Sequence, residues 1–143
     1  NHSFSQVNLS KVKRSRIEKE LIESKKTLEK ITGAPVTLFR PPYGEYNKAV
    51  LQVANDSQQK IIMWSVDPKD WYHRNKNETY KNIMKFTNPG SIVLMHDIHQ
   101  ETANALPKRI KDLKEKGYEF VTVSELIEQF GLEPESNGVY YGK

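Results

Sequence analysis

The chain contains no cysteine, which excludes disulfides, thiolate metal ligands and cysteine nucleophiles. Glycine and proline occur seven times each in 143 residues, too sparsely for a collagen-like or low-complexity chain. No apolar run approaches the ~18–20 residues that cross a bilayer. The longest, Ile61-Ile62-Met63-Trp64 and Ile92-Val93-Leu94-Met95, have the length of strands. No internal repeat is detectable. The chain opens at Asn1 without a basic and apolar leader, so any upstream targeting segment is expected to have been removed or never included. The length suits one hydrophobic core, since domains typically run about 100–150 residues. We expect that core within residues 1–132, followed by a tail over 133–143 in which Val139, Tyr140 and Tyr141 offer docking groups.

The net charge of +4 is concentrated in one place. Between Lys11 and Lys30 there are eight basic residues against four acidic ones, and the rest of the chain is balanced. Ile17, Leu21, Leu28 and Ile31 share one helical face of this stretch, so the cations read as the solvated side of an amphipathic helix. The competing reading, a polyanion site, predicts binding that falls steeply with salt.

Turn and cap residues punctuate the remainder. A helix is predicted from Ser10 to Thr32, closed by Gly33 and barred from continuing by Pro35. A strand is predicted over 36–39, a loop over Arg40-Pro41-Pro42-Tyr43-Gly44, and a helix over 48–54. Further strands are predicted over 60–66, 91–95 and 120–123, with helices over 78–86, 106–116 and 124–130, the last capped by Ser124 with Ile127 and Phe130 facing inward. Alternating helices and strands predict an α/β fold with a parallel sheet. In such folds chemistry gathers where loops leave the carboxyl ends of strands. Three predicted strands end in suggestive segments: 40–44, 67–71 and 96–99.

His96, directly after an apolar strand, has the chemistry of a general acid or base, and a carboxylate such as Asp70 would fix its tautomer. The alternative is a structural histidine at a strand end. Arg40, a permanent cation on a loop stiffened by two prolines, suits either anion holding or an ordinary salt bridge. The Tyr43-Gly44 end of that loop suits a backbone N–H aimed at a developing oxyanion. Trp71 and Leu94 offer apolar walls, or simply core packing. Near the start, His2 and Gln6 are spaced to share a helical face. Two histidines there would signal zinc strongly, whereas an amide oxygen is a poor zinc ligand.

In chain order, these segments resemble the polysaccharide deacetylase domain of carbohydrate esterase family four, which includes peptidoglycan N-acetylglucosamine deacetylases and chitin deacetylases. Residues 1–6, Asn-His-Ser-Phe-Ser-Gln, look like the zinc motif His-Ser/Thr-x-x-His, with Gln6 where the family places its second histidine. Arg40-Pro41-Pro42-Tyr43-Gly44 matches the third motif without substitution. Residues 64–71 are similar to the fourth motif and residues 92–97 to the fifth. The family's opening paired-aspartate motif is not among these residues.

The resemblance implies a distorted (β/α) barrel whose first strands lie outside this chain, and hence an unpaired strand edge that associates with the missing N-terminal part of the domain. It implies a hydrolase in which metal-activated water removes acetyl groups from an N-acetylated glycan polymer such as peptidoglycan. The cofactor would be Zn²⁺ or another divalent metal, and the location extracellular or in the cell envelope, with no nucleic-acid partner. Carried over by position, His2 would ligate the metal, with Gln6 as a weak second ligand, and Arg40 would hold the catalytic-base aspartate. The Tyr43 N–H would serve the oxyanion hole, Asp70 would tune His96 as general acid, and Trp71 and Leu94 would line the acetyl pocket. The alternative is a carbohydrate-binding pseudoenzyme with a degraded metal site.

Overall fold

A computed structural model describes all of residues 1–143. The basic stretch folds as a helical rod made of α1 (Arg14–Glu18), a π turn (Lys19–Glu23) and α2 (Ser24–Thr32). It begins later than predicted. Asn8, not Ser10, is the capping residue, accepting from the Ser10 N–H at a short 3-10 turn over Leu9–Lys11, and Val12 and Lys13 are extended. Gly33 closes the rod at φ 69°, a left-handed conformation that a residue without Cβ adopts cheaply. Ile17 and Leu21 are fully buried as predicted, but Ile31 is 76% exposed. The π turn inserts a residue into the 3.6-residue period, so the expected apolar stripe does not continue to the last turn. Arg14 pairs with Glu18 (2.8 Å) and Asp56 (3.2 Å), Arg16 with Glu20 (2.7 Å) and Lys25 with Glu29 (2.6 Å).

The chain divides into two compact units, residues 1–63 with 134–140 and residues 64–133 with 141–143. The first unit holds the rod and a parallel sheet of three short strands in the order β1 (Leu38–Phe39), β2 (Lys60–Ile62), β3 (Val139–Tyr140). Phe39 pairs with Ile61, and Ile61 with Val139. The crossover that a parallel pair requires is α3 (Lys48–Asp56), whose first N–H groups are capped by the Asn47 side chain. Leu9, Ile17, Leu21, Phe39, Val50 and Val139 form a core with no solvent exposure. Val139 and Tyr140, expected on a tail, thus form the third strand of this sheet. The α/β expectation holds, but three strands are too few to make a closed barrel.

The second unit is mainly helical: α4 (Asp70–His73), α5 (Lys76–Phe86), α6 (Gln100–Glu115) and α7 (Val123–Glu128). α6 starts six residues earlier than predicted and runs through Pro107, which removes one backbone donor without ending the helix. The predicted strand over 91–95 reduces to a parallel bridge between Val66 and Val93 and an antiparallel one between Ser91 and Gly142. Residues 120–122 form no strand. A β-prone sequence is not enough where no neighbouring strand pairs its backbone. Thr122, rather than Ser124, caps α7 through a reciprocal box with Glu125, and Phe130 is 54% exposed instead of buried. No helix is long and apolar enough to cross a membrane.

Candidate active site

In the second unit, Asp70 begins the short helix α4 and is completely buried. Its Oδ2 accepts from the His96 backbone N–H (2.7 Å) and from Thr102 Oγ1 (2.8 Å), and its Oδ1 lies 2.9 Å from His96 Nδ1. Burial opposes the charge on Asp70, but the hydrogen bonds from the His96 ring, the His96 N–H and Thr102 prevail and hold its carboxyl below the ordinary aspartate value. A carboxylate only accepts, so Nδ1 of His96 is the protonated nitrogen and Nε2 carries the lone pair. The ring retains 28% exposure. This is the arrangement of an oriented acid–base histidine. Thr102 was missed by sequence reasoning, and the available signal was a hydroxyl in the first turn of a helix, on its buried side. Leu94 is 8% exposed, its N–H donating to Val66 O (2.9 Å), while Trp71 is 48% exposed. His73 is exposed and His99 is half-buried at the N-cap of α6.

The other predicted residues belong to the first unit. Residues 2–6 are not helical, and Ser3 and Gln6 adopt left-handed backbone (φ 64° and 53°), so His2 and Gln6 do not share a helix face. The segment is shaped from a distance. Buried Glu20, in the π turn, accepts from the Phe4 N–H (2.9 Å), the Ser5 N–H (2.7 Å) and Ser5 Oγ (2.5 Å). Burial works against the Glu20 charge, yet these bonds and Arg16 leave its carboxyl below the usual range. The Asn1 backbone pairs with the β1 edge through Leu38 O and the Arg40 N–H (2.9 Å each), and its side chain reaches Gln59 Oε1 (2.7 Å) and the Ser24 hydroxyl (2.8 Å). His2 Nδ1 then lies 2.6 Å from Arg40 O. The carbonyl can only accept, which makes Nδ1 the donor and leaves Nε2 with its lone pair.

Arg40 follows β1. Burial lowers its pKa, and its guanidinium enters none of the ion pairs of this unit. Tyr43 turns the following loop at φ 61°, with the Gly44 and Glu45 N–H groups donating to Pro41 O (3.1 Å) and Pro42 O (3.2 Å).

A divalent metal needs more than this. His2 has the oriented imidazole that a metal takes, with its second nitrogen held by a carbonyl. No group of three or more His, Asp or Glu side chains lies close enough to hold an ion, and Gln6 adds only a neutral amide. The donor set among these residues therefore does not fit a zinc centre.

Residues 1–62 match the family model described as polysaccharide deacetylase. The chain is 41% identical over 125 residues to the peptidoglycan-N-acetylglucosamine deacetylase PgdA of Listeria monocytogenes, covering 87% of this chain and 26% of that protein. It is 36% identical over 128 residues to the peptidoglycan-N-acetylmuramic acid deacetylase PdaC of Bacillus subtilis, covering 90% of this chain and 27% of that protein. The chain thus spans about a quarter of the length of these two relatives. Among solved structures, a CE4 family pseudoenzyme from Bacillus anthracis superimposes with a TM-score of 0.85 at 33% identity, over 90% of this chain and 46% of that one. A mutant of the same protein is described as having restored enzymatic activity.

Proposed function

This chain belongs to the polysaccharide deacetylases of carbohydrate esterase family four, and we propose that it removes N-acetyl groups from an N-acetylglucosamine-containing glycan such as peptidoglycan. The observation that carries the reading is the buried Asp70 bonded to both the ring and the backbone of His96. Amide hydrolysis by water forms a carbon–oxygen bond and breaks carbon–nitrogen, and the amine leaves only if it is protonated. His96, held by Asp70 on the Nδ1 side, first takes a proton from solvent on its Nε2 lone pair and then delivers it to the leaving nitrogen, which returns the ring to its neutral Nδ1-protonated form. The family resemblance gives Arg40 the holding of a carboxylate base from outside these residues and the Tyr43 N–H the developing oxyanion, and it assigns Trp71 and Leu94 to the acetyl methyl.

In this reading the three-stranded sheet is part of a distorted (β/α) barrel completed by strands outside residues 1–143, and the protein acts at the cell envelope, where such glycans lie. No step is assigned to a metal, because the donors present do not form its site.

Gln6 and the incomplete donor set favour a second reading, a glycan-binding pseudoenzyme, and the similarity to a pseudoenzyme of the same family supports it. Acetate release from an N-acetylglucosamine oligomer by the whole protein, with added divalent metal and after chelation, separates the two. Release that disappears in His96→Ala is expected for the deacetylase. No release under any condition, with oligomer binding retained, would replace it by the pseudoenzyme.

A further inference from the structure

Helix α4 is four residues long and is bracketed by left-handed backbone at Lys69 (φ 54°) and Arg74 (φ 46°). Successive helical side chains lie about 100° apart, so turning Asp70 inward toward His96 sends Trp71 and Tyr72 outward. They are 48% and 69% exposed, although large aromatic rings ordinarily gain by burial. These rings are also braced. Trp71 and Tyr72 meet edge to face with centroids 5.9 Å apart, and Tyr72 meets His73 in the same way at 5.1 Å. Tyr72 therefore touches two other rings while most of its surface stays open.

We propose that Tyr72, braced by Trp71 and His73, is a stacking platform for a second sugar of the glycan, the one flanking the residue whose acetamide reaches His96. The inference rests on the glycan reading above and adds a subsite to it. A pyranose ring presents an apolar C–H face and a rim of hydroxyls. A flat exposed aromatic with polar neighbours, here His73 and Arg74, matches both parts of that surface. Only Trp71 separates Tyr72 from Asp70 along the chain, and Asp70 is the residue bonded to His96. Bracing holds the ring in one orientation before the sugar arrives, so less freedom is lost on binding.

Binding as a function of oligomer length tests the platform. Calorimetry on the whole protein would compare the N-acetylglucosamine tetramer with the monomer for wild type, Tyr72→Ala and Tyr72→Phe. Tyr72→Ala should weaken tetramer binding by about five- to ten-fold, the scale of one aromatic contact, and weaken monomer binding far less. Tyr72→Phe should behave as wild type, because the ring and not the hydroxyl makes the contact. Independently of any variant, magnetisation in the wild type should transfer from Tyr72 ring protons to the C–H protons of a sugar in the bound tetramer. Equal losses for monomer and tetramer, a tetramer affinity that Tyr72→Ala leaves as it was, or no transfer would overturn the platform while leaving the glycan reading in place. A wild type that binds neither sugar would overturn both.

Discussion

Replacing Asp70 by Asn tests whether a buried charge sets the state of His96. The carboxylate accepts three hydrogen bonds, and an amide offers one oxygen and one NH₂ group. The backbone N–H of His96 cannot become an acceptor, so the amide oxygen takes the Oδ2 position and the NH₂ faces His96 Nδ1. The imidazole proton must then move to Nε2, leaving the lone pair on Nδ1. Bonds to charged groups contribute roughly 1.5–3 kcal/mol and neutral ones roughly 0.5–1.5. Three weakened bonds, partly offset by the easier burial of a neutral group, give a net loss of about 1–2 kcal/mol. For a chain of this size that lowers Tm by roughly 3–8 °C. The pH dependence has a definite sign. The folded-state pKa of Asp70 is depressed, so its contribution is fully present above the unfolded value near ~3.9 and is lost as pH falls through the folded one. Thermal melts at pH 7 and at the lowest pH where both forms stay folded should show the gap between wild type and Asp70→Asn narrowing. A long-range ¹H–¹⁵N spectrum of the His96 ring should show the proton moved from Nδ1 to Nε2. A ring that keeps its Nδ1 proton, or a Tm gap that is the same at both pH values, would refute the assignment of a charged, tautomer-setting Asp70.

Two other substitutions probe separate parts of the molecule. At Gly142, φ is 87° and an added Cβ would stand 2.6 Å from Ile92 N and 2.9 Å from Ser65 Oγ, so Gly142→Ala should cost about 2–3 kcal/mol in chemical denaturation; an unchanged midpoint would mean that the close approach to Ile92 is relieved cheaply. Gln6→His should raise zinc affinity by at least about ten-fold in competition with a chromophoric chelator, the scale on which ligand surroundings alter metal binding, and an unaltered affinity would remove residue 6 from the ligand positions.

Features governed by near neighbours were legible in the sequence. Lys48 starts α3 where predicted, because Asn47 beside it caps the helix, and Gly33 ends α2 because the left-handed turn is a local matter. The α/β class followed from the alternation of helices and strands, whereas Val139 and Tyr140 were legible only as docking groups on a tail, and it is pairing with β2 that turns them into a third strand. The Asp70–His96 pair combines an acid and a histidine 26 residues apart, and each stood out because it follows a predicted strand. Features imposed across long sequence separations were not legible. The spacing of His2 and Gln6 suggests a helix, and it is Glu20, 15 residues beyond Ser5, that pulls the segment into another shape. Residues 120–123 carry strand propensity, and pairing partners decide whether it is realised.

The Glu20 clamp separates two properties of the opening segment. Its oxygens hold the backbone N–H groups of Phe4 and Ser5 and the Ser5 hydroxyl, and none of these contacts involves the side chain at position 6. The path of the chain and the identity of the group presented at its end are consequently set by different residues. An amide can stand at position 6 without the loop losing its anchorage, and an imidazole installed there would inherit the same backbone. Chemistry at this corner of the molecule can be exchanged one side chain at a time, on a frame supplied by a helix rather than by the loop itself.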